Sequence, residues 1–251
     1  MVNVILLAGA ANNGPLKDMS TATNEALIEI GSKPMVQYVI DGLRQSTQIG
    51  RIVLCAPPGE LEPHVKGEGL EFVPSQGSIL ANFLAAYKVL PKDQTIMIAT
   101  CDIPLITGEI IDGFLQLCRQ KEADLYYPIV EKQVGEQKYP LVKRTYVQLR
   151  EGIFTGGNLF LVNPAVVEEA APRVERFLDY RKSPLKLAGL LGWTFAVRYL
   201  LLKNLRMHEL EAKISQMLGI RGAVIECPWP EVGIDVDKPA DLQLARAVLL
   251  S

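Results

Sequence analysis

Asp102 is the residue in this chain whose surroundings most suggest chemistry. It follows an apolar run in Ala99-Thr100-Cys101-Asp102-Ile103-Pro104-Leu105, and Pro104 stiffens the turn that presents it. A carboxylate at the end of a strand suits Mg²⁺, a hard cation that takes one or two carboxylates and otherwise binds water and substrate phosphates. The structural alternative is a cap on the turn before a helix at Thr107. A second acidic source is Gly233-Ile234-Asp235-Val236-Asp237-Lys238-Pro239. Side chains alternate in an extended segment, so Asp235 and Asp237 share a side and either can ligate the same metal. Asp235 is the preferred ligand, and Asp237 has the alternative of capping the closing helix.

Two glycine segments add candidate binding surface. Leu7-Ala8-Gly9-Ala10 ends a hydrophobic run in small residues, which lets backbone N–H groups approach an anion closely. Thr155-Gly156-Gly157-Asn158 precedes another apolar run, where paired glycines let a ligand lie against the backbone and Asn158 offers a donor and an acceptor. A plain βα loop and a tight turn are the structural alternatives for these two segments.

These residues need elements to hold them. Short β-branched runs at Val2–Leu7, Arg51–Ala56, Leu70–Val73 and Thr95–Thr100 alternate with helical patterns at Pro34–Gln45, Ser78–Val89 and Thr107–Gln120. That alternation predicts β-α-β units on a mostly parallel, doubly wound α/β sheet, with ligands beyond the carboxyl ends of the strands. Ser78 and Thr107 have N-cap chemistry, and Pro34 suits a first helical turn. Later, Asp124–Val130, Thr145–Arg150 and Leu159–Val162 read as strands, and the alternation in Thr145–Arg150 predicts a half-exposed hairpin arm. Residues Pro164–Leu218 read as mostly helical and rich in basic residues. Ala223–Cys227 and Gly233–Val236 return to strand character, and Pro239–Leu249 closes as a helix. The expected organisation is one domain, 1–251, with a helical insertion at about 164–220.

Composition narrows the classes. The 251 residues carry a formal charge of −2 with 49% hydrophobic and 22% charged residues, so the chain is globular, and nucleic acid, which needs a basic surplus, is not the expected partner. Cys55, Cys101, Cys118 and Cys227 form no C-x-x-C pair and read as reduced thiols of a cytoplasmic protein. The N-terminal run lacks a basic region and cleavage site, and reads as a buried strand rather than a signal. The apolar stretch Leu187–Leu202 contains Arg198 and as a helix would span roughly 24 Å, short of the ~30 Å hydrocarbon core. It reads as a packing helix. The basic run Arg181–Lys186 reads as a solvated helix end, with an anionic-acceptor clamp as its alternative. His64 and His208 are isolated and make no site.

Taken in order, these motifs resemble the MobA-like and sugar-nucleotide nucleotidyltransferase superfamily. The matching residues are Leu7–Ala10, Glu25–Leu27 with Gly31-Ser32-Lys33-Pro34-Met35, Asp102–Pro104, Gly156–Asn158 and Asp235–Leu242. The resemblance spans residues 1 to about 162 and 222 to 251, and leaves the helical stretch between unaccounted for. It implies a GT-A-like fold that binds a nucleoside triphosphate with Mg²⁺, an acceptor oxygen attacking the α-phosphorus, and pyrophosphate leaving. It makes Leu7, Ala8, Gly9 and Ala10 phosphate-loop residues, and the turn carrying Pro74, Gly77 and Ser78 the base-reading segment. Thr155, Gly156, Gly157 and Asn158 would face a small phosphorylated or hydroxylated acceptor, and Asp102, Asp235 and Asp237 the metal. An oligomer is compatible with it. Two departures stand out: Ala10 replaces the usual second glycine, and Glu25 occupies the phosphate-binding lysine position. Lys17 or Lys33 takes over that role, or Glu25 points away, or turnover is impaired and the protein binds nucleotide without reaction. A GT-A glycosyltransferase is the further alternative.

Overall fold

The computed structural model describes residues 1–180 and 205–250, together with Gly189, Gly192 and Arg198. The run Arg181–Lys186 and, apart from those three residues, the stretch Leu187–Leu202 lie outside the described residues. Among the described residues no helix is long and apolar enough to cross a membrane.

The strands are β1 (Val2–Leu7), β2 (Glu29–Ile30), β3 (Lys33–Pro34), β4 (Ile49–Ala56), β5 (Leu70–Pro74), β6 (Ile96–Thr100), β7 (Leu125–Glu131), β8 (Val147–Gln148), β9 (Ile153–Gly156), β10 (Leu159–Val162) and β11 (Gly222–Glu226). The described helices are α1 (Met35–Gln45), α2 (Ile79–Tyr87), α3 (Gly108–Cys118), α4 (Lys132–Lys138), α5 (Val167–Tyr180), α6 (Met207–Leu218) and α7 (Pro239–Leu249). Nine strands form one mixed, mostly parallel sheet in the order β5-β4-β1-β6-β10-β7-β9-β8, with β11 beside β7; β2 and β3 make a separate small hairpin. β4, β5 and β6 join β1 in a parallel block. β10 enters antiparallel between β6 and β7.

Strand periodicity explains the layering. Val4 and Leu6 of β1, with Ile52 and Leu54 of β4, pack against Val36, Ile40 and Leu43 of α1 and Ile111 and Phe114 of α3. The intervening Ile5, Val53 and Cys55 pack on the other face against Phe83, Ala86 and Tyr87 of α2. Both faces of the parallel block are therefore apolar, as a doubly wound sheet requires. Each fully buried aliphatic side chain contributes roughly 1.5–3 kcal/mol relative to exposure. All four cysteines are buried and unpaired.

The caps form as expected. The Ser78 and Thr107 hydroxyls accept the N–H groups of Ala81 and Ile110, at 3.1 and 3.4 Å. Pro34 is the N-cap of α1 rather than a residue of its first turn.

Three local differences from the sequence pattern matter. The predicted arm Thr145–Arg150 contracts to β8, paired with β9, a strand the pattern does not reveal. Residues 132–138, to which the sequence pattern assigns no element, are helix α4. Gly233–Val236 is not a strand: Pro230–Gly233 forms a 3₁₀ turn that begins on a proline with no N–H to donate to a ladder.

Candidate active site

β1 and β6 are neighbours in register, with Leu7 opposite Thr100, so their carboxyl ends open on the same crevice. At the end of β1, Ala8 N–H donates to the Cys55 carbonyl at 2.9 Å, and the chain then turns away. Asn24 pins the turn, since its Nδ2 donates to the Ala8 carbonyl at 3.0 Å and to Glu60 at 3.2 Å. Glu25 N–H donates to the Ala10 carbonyl at 3.0 Å and Asn12 N–H to the Thr23 carbonyl at 2.8 Å. Among the described residues, the N–H groups of Gly9, Ala10 and Ala11 find no protein acceptor. Three consecutive free donors are what an oxyanion needs. Gly9 also backs onto the turn after β5: a Cβ there would lie 3.1 Å from Ser75 Cβ and from Asn82 Nδ2. That turn carries Pro74 at the end of β5, Gly77 at φ +84°, and Ser78 as the cap of α2.

Beyond β6, Cys101 N–H donates to the Leu7 carbonyl at 3.1 Å, and the Asp102 carbonyl accepts the Val236 N–H at 2.8 Å. This last bond docks the 235–237 segment beside Asp102. Ligand oxygens of Asp102, Asp235 and Asp237 lie within 4.8 Å of one another, a three-carboxylate cluster of hard donors. The Asp102 carboxyl accepts the Thr100 hydroxyl. Burial, reinforced by Asp235 and Asp237, nevertheless pushes its pKa up to about 7. Burial also raises Asp235, opposed by the Arg144 guanidinium. Carboxylates that resist ionisation until a cation arrives fit a metal site, since metal binding and proton loss are linked.

The alternative role for Asp237 belongs to another residue. Asp241 Oδ2 accepts the Asp237 and Lys238 N–H groups at 3.3 and 3.1 Å and so caps α7. The Asp237 carboxylate is left to the cluster.

Glu25 points inward. Its Oε1 is 3.4 Å from the Cβ position of Gly14, and both burial and Asp237 raise its pKa. Its charge also bears on the buried Cys101 thiol. Of the two lysines, Lys33 is drawn to Asp41 on α1 at 2.8 Å. Lys17 sits exposed on a 3₁₀ turn with no partner among the described residues.

The Thr155–Asn158 segment ends β9 and leads into β10. The glycines are accounted for by close packing: a Cβ on Gly156 would lie 1.7 Å from Tyr127 Oη, and one on Gly157 would lie 2.8 Å from the Val232 carbonyl. Asn158 N–H donates to that same carbonyl at 2.7 Å, which fastens the 3₁₀ turn preceding Asp235. Thr155 lines a small cavity with Arg144, Tyr146 and Gly233, and the Asn158 carboxamide has no partner among the described residues.

Arg144 is not legible in the sequence as a site residue. It lies in an irregular loop after α4 and reaches Asp235 over 91 residues of chain. Glu231 and Tyr139 join the surroundings in the same unannounced way, whereas Asp241 lies within the Asp235–Leu242 motif. Glu231 is buried and accepts the Tyr139 hydroxyl at 2.7 Å.

A model of the MobA-like NTP transferase domain matches residues 4–184. A hypothetical transferase from Thermus thermophilus is 34% identical, with a TM-score of 0.84 over 96% of this chain and 99% of that one. The 2-C-methyl-D-erythritol 4-phosphate cytidylyltransferase of Thermus thermophilus shares the fold at 15% identity and TM-score 0.60, covering both chains fully. So does CMP:2-keto-3-deoxy-manno-octonic acid synthetase, solved with CTP, at 15% identity and TM-score 0.61 over 99% and 98%. No curated protein sequence matches the chain.

Proposed function

The chain belongs to the MobA-like NTP transferase family, and from that premise we propose that it transfers a nucleoside monophosphate from an NTP to a small phosphorylated or hydroxylated acceptor. The observation that carries this reading is the convergence of Asp102, Asp235 and Asp237 on one crevice, beside a loop with three free backbone donors. A bound Mg²⁺ would supply charge neutralisation of the phosphates at that cluster.

The remaining work falls to the chain. Gly9, Ala10 and Ala11 N–H groups hold phosphate oxygens, and the Pro74–Ser78 turn meets the base. Thr155 and Asn158 face the acceptor. The acceptor oxygen bonds to the α-phosphorus as the α–β bridging bond breaks, and pyrophosphate leaves with the electron pair. Such transfer is chiefly positioning and electrostatics.

A second reading, nucleotide binding without turnover, is favoured by the inward Glu25 carboxylate. A charge opposite to the usual lysine, about 4 Å from a phosphate, changes the local energy by several kcal/mol at an effective dielectric near 20.

One experiment separates the two. Pyrophosphate release is followed for each NTP over an acceptor panel, with and without Mg²⁺, alongside thermal shift with the same nucleotides. Mg²⁺-dependent release that Asp102→Asn abolishes supports transfer. Stabilisation by a nucleotide with no release over the panel supports binding without turnover. Neither stabilisation nor release would overturn both.

A further inference from the structure

Arg144 holds the metal-bearing segment at three points. Its Nη1 donates to Asp235 Oδ1 at 2.6 Å, its Nη2 to the Asp235 carbonyl at 2.7 Å, and Nη2 stands 3.7 Å from Asp241 Oδ1. Asp241 in turn receives the Asp237 N–H. One guanidinium therefore fixes the side chain and main chain of Asp235 and supports the cap that orients Asp237. Only the planar fork of arginine serves two acceptors on one residue in this way.

Its seat is prepared by the loop after α4. Tyr139 and Val142 pack with Ile234, Val236 and Leu105, and Tyr139 Oη donates to Glu231. The Arg144 side chain is 11% exposed, and its buried Nε has no partner among the described residues. Burying a guanidinium with one N–H unpaired is a poor device for stability alone.

We infer that Arg144 is a positioning residue for the cation site: it occupies one oxygen of Asp235 so that the other, with Asp237, meets Asp102. This rests on the reading of that cluster as a divalent-cation site. Partners that orient a ligating carboxylate typically change metal affinity by roughly 10–100-fold when removed.

The test is a Mn²⁺ titration of the full chain without nucleotide, following loss of the free-ion electron paramagnetic resonance signal. Wild type, Asp102→Asn, Arg144→Gln, Arg144→Lys and Tyr139→Phe are compared. Tyr139→Phe loosens the same loop without touching Asp235, so it reports a merely structural effect. The expected result is Mn²⁺ binding that Asp102→Asn removes and Arg144→Gln weakens by roughly 10–100-fold. Arg144→Lys should recover part of the loss, and Tyr139→Phe should match wild type. If Arg144→Gln does not fold, Arg144→Lys still decides, because a compact ammonium lacks the planar fork that sets Nη1 and Nη2 on separate Asp235 acceptors, so affinity below wild type is still expected. Unchanged affinity in the arginine variants, or equal weakening by Tyr139→Phe, overturns the inference and leaves the cation site standing. Absence of binding by wild type overturns the site itself.

Discussion

Asp102→Asn should have opposite effects in the absence and presence of metal. Asp102 carries a carboxyl whose pKa rises from 3.8 to about 7 on folding. The folded state then holds its proton more tightly than the unfolded chain between about pH 4 and pH 7, so wild-type stability falls as pH climbs through that window. About three decades of proton affinity at about 1.4 kcal/mol each set an upper limit near 4 kcal/mol above pH 7. Relaxation and water entry around a partly open site reduce this, and about 2 kcal/mol is expected. For a chain of this length, that corresponds to roughly 4–8 °C in melting temperature. Asparagine is isosteric and uncharged throughout. In EDTA at pH 8 the variant should therefore melt above wild type by that margin, and at pH 4.5 the two should nearly coincide. With saturating Mg²⁺ the order reverses, since only wild type gains from the bound cation. The assay is thermal unfolding by circular dichroism across pH, with EDTA and with Mg²⁺. A variant that melts below wild type in EDTA at pH 8, or by a margin independent of pH, would refute the picture of a carboxyl held un-ionised by burial beside two other carboxylates.

The inward Glu25 gives a second expectation. Glu25→Gln should tighten nucleotide binding about tenfold and Glu25→Lys further, with less Mg²⁺ needed for half-saturation; unchanged affinity by calorimetric titration would mean that the carboxylate stands clear of the phosphates. Gly156→Ala should destabilise the chain by about 1–3 kcal/mol through overpacking. Chemical denaturation should show partial recovery when Tyr127→Phe removes the Oη that the new Cβ meets at 1.7 Å; no recovery would mean that the strain lies elsewhere.

The parallel block is readable from sequence because β1, β4 and β6 bury both faces. Runs such as Val-Asn-Val-Ile-Leu-Leu at the start of the chain have no other stable placement, and local chemistry at Ser78 and Thr107 marks where helices begin. Asp102 is readable because it follows the carboxyl end of β6, whereas Asp235 and Asp237 carry a local acidic motif that reaches Asp102 through the Val236 N–H bond to its carbonyl. The features that escape depend on pairing across long sequence distances. The alternation at Thr145–Arg150 marks β8, but β9 is short and carries no strong alternation, so their pairing is visible only once β7 supplies an edge. Residues 233–236 have strand-like composition, yet Asp102 and Asn158 claim the Val236 N–H and the Val232 carbonyl before a ladder can. The glycine pair at 156–157 reads as ligand space, and tertiary packing fills that space with Tyr127 and Val232. Arg144 has no local signal at all. Its meaning lies in Asp235, 91 residues away.

Charge balance ties these residues to a single physical consequence. Asp102, Asp235, Asp237 and Glu25 bring four carboxyl groups to the crevice, and Arg144 is already committed to Asp235. A site built around a lysine can hold a triphosphate by itself. Here backbone donors supply geometry but only partial charge, so on the proposed reading the nucleotide and the divalent cation each strengthen the other's binding. Such coupling is reciprocal by thermodynamic necessity: the factor by which Mn²⁺ tightens nucleotide binding must equal the factor by which nucleotide tightens Mn²⁺ binding. Each missing carboxylate should shrink that shared factor, whereas a factor near one in wild type would mean that the cation and the phosphates occupy separate places.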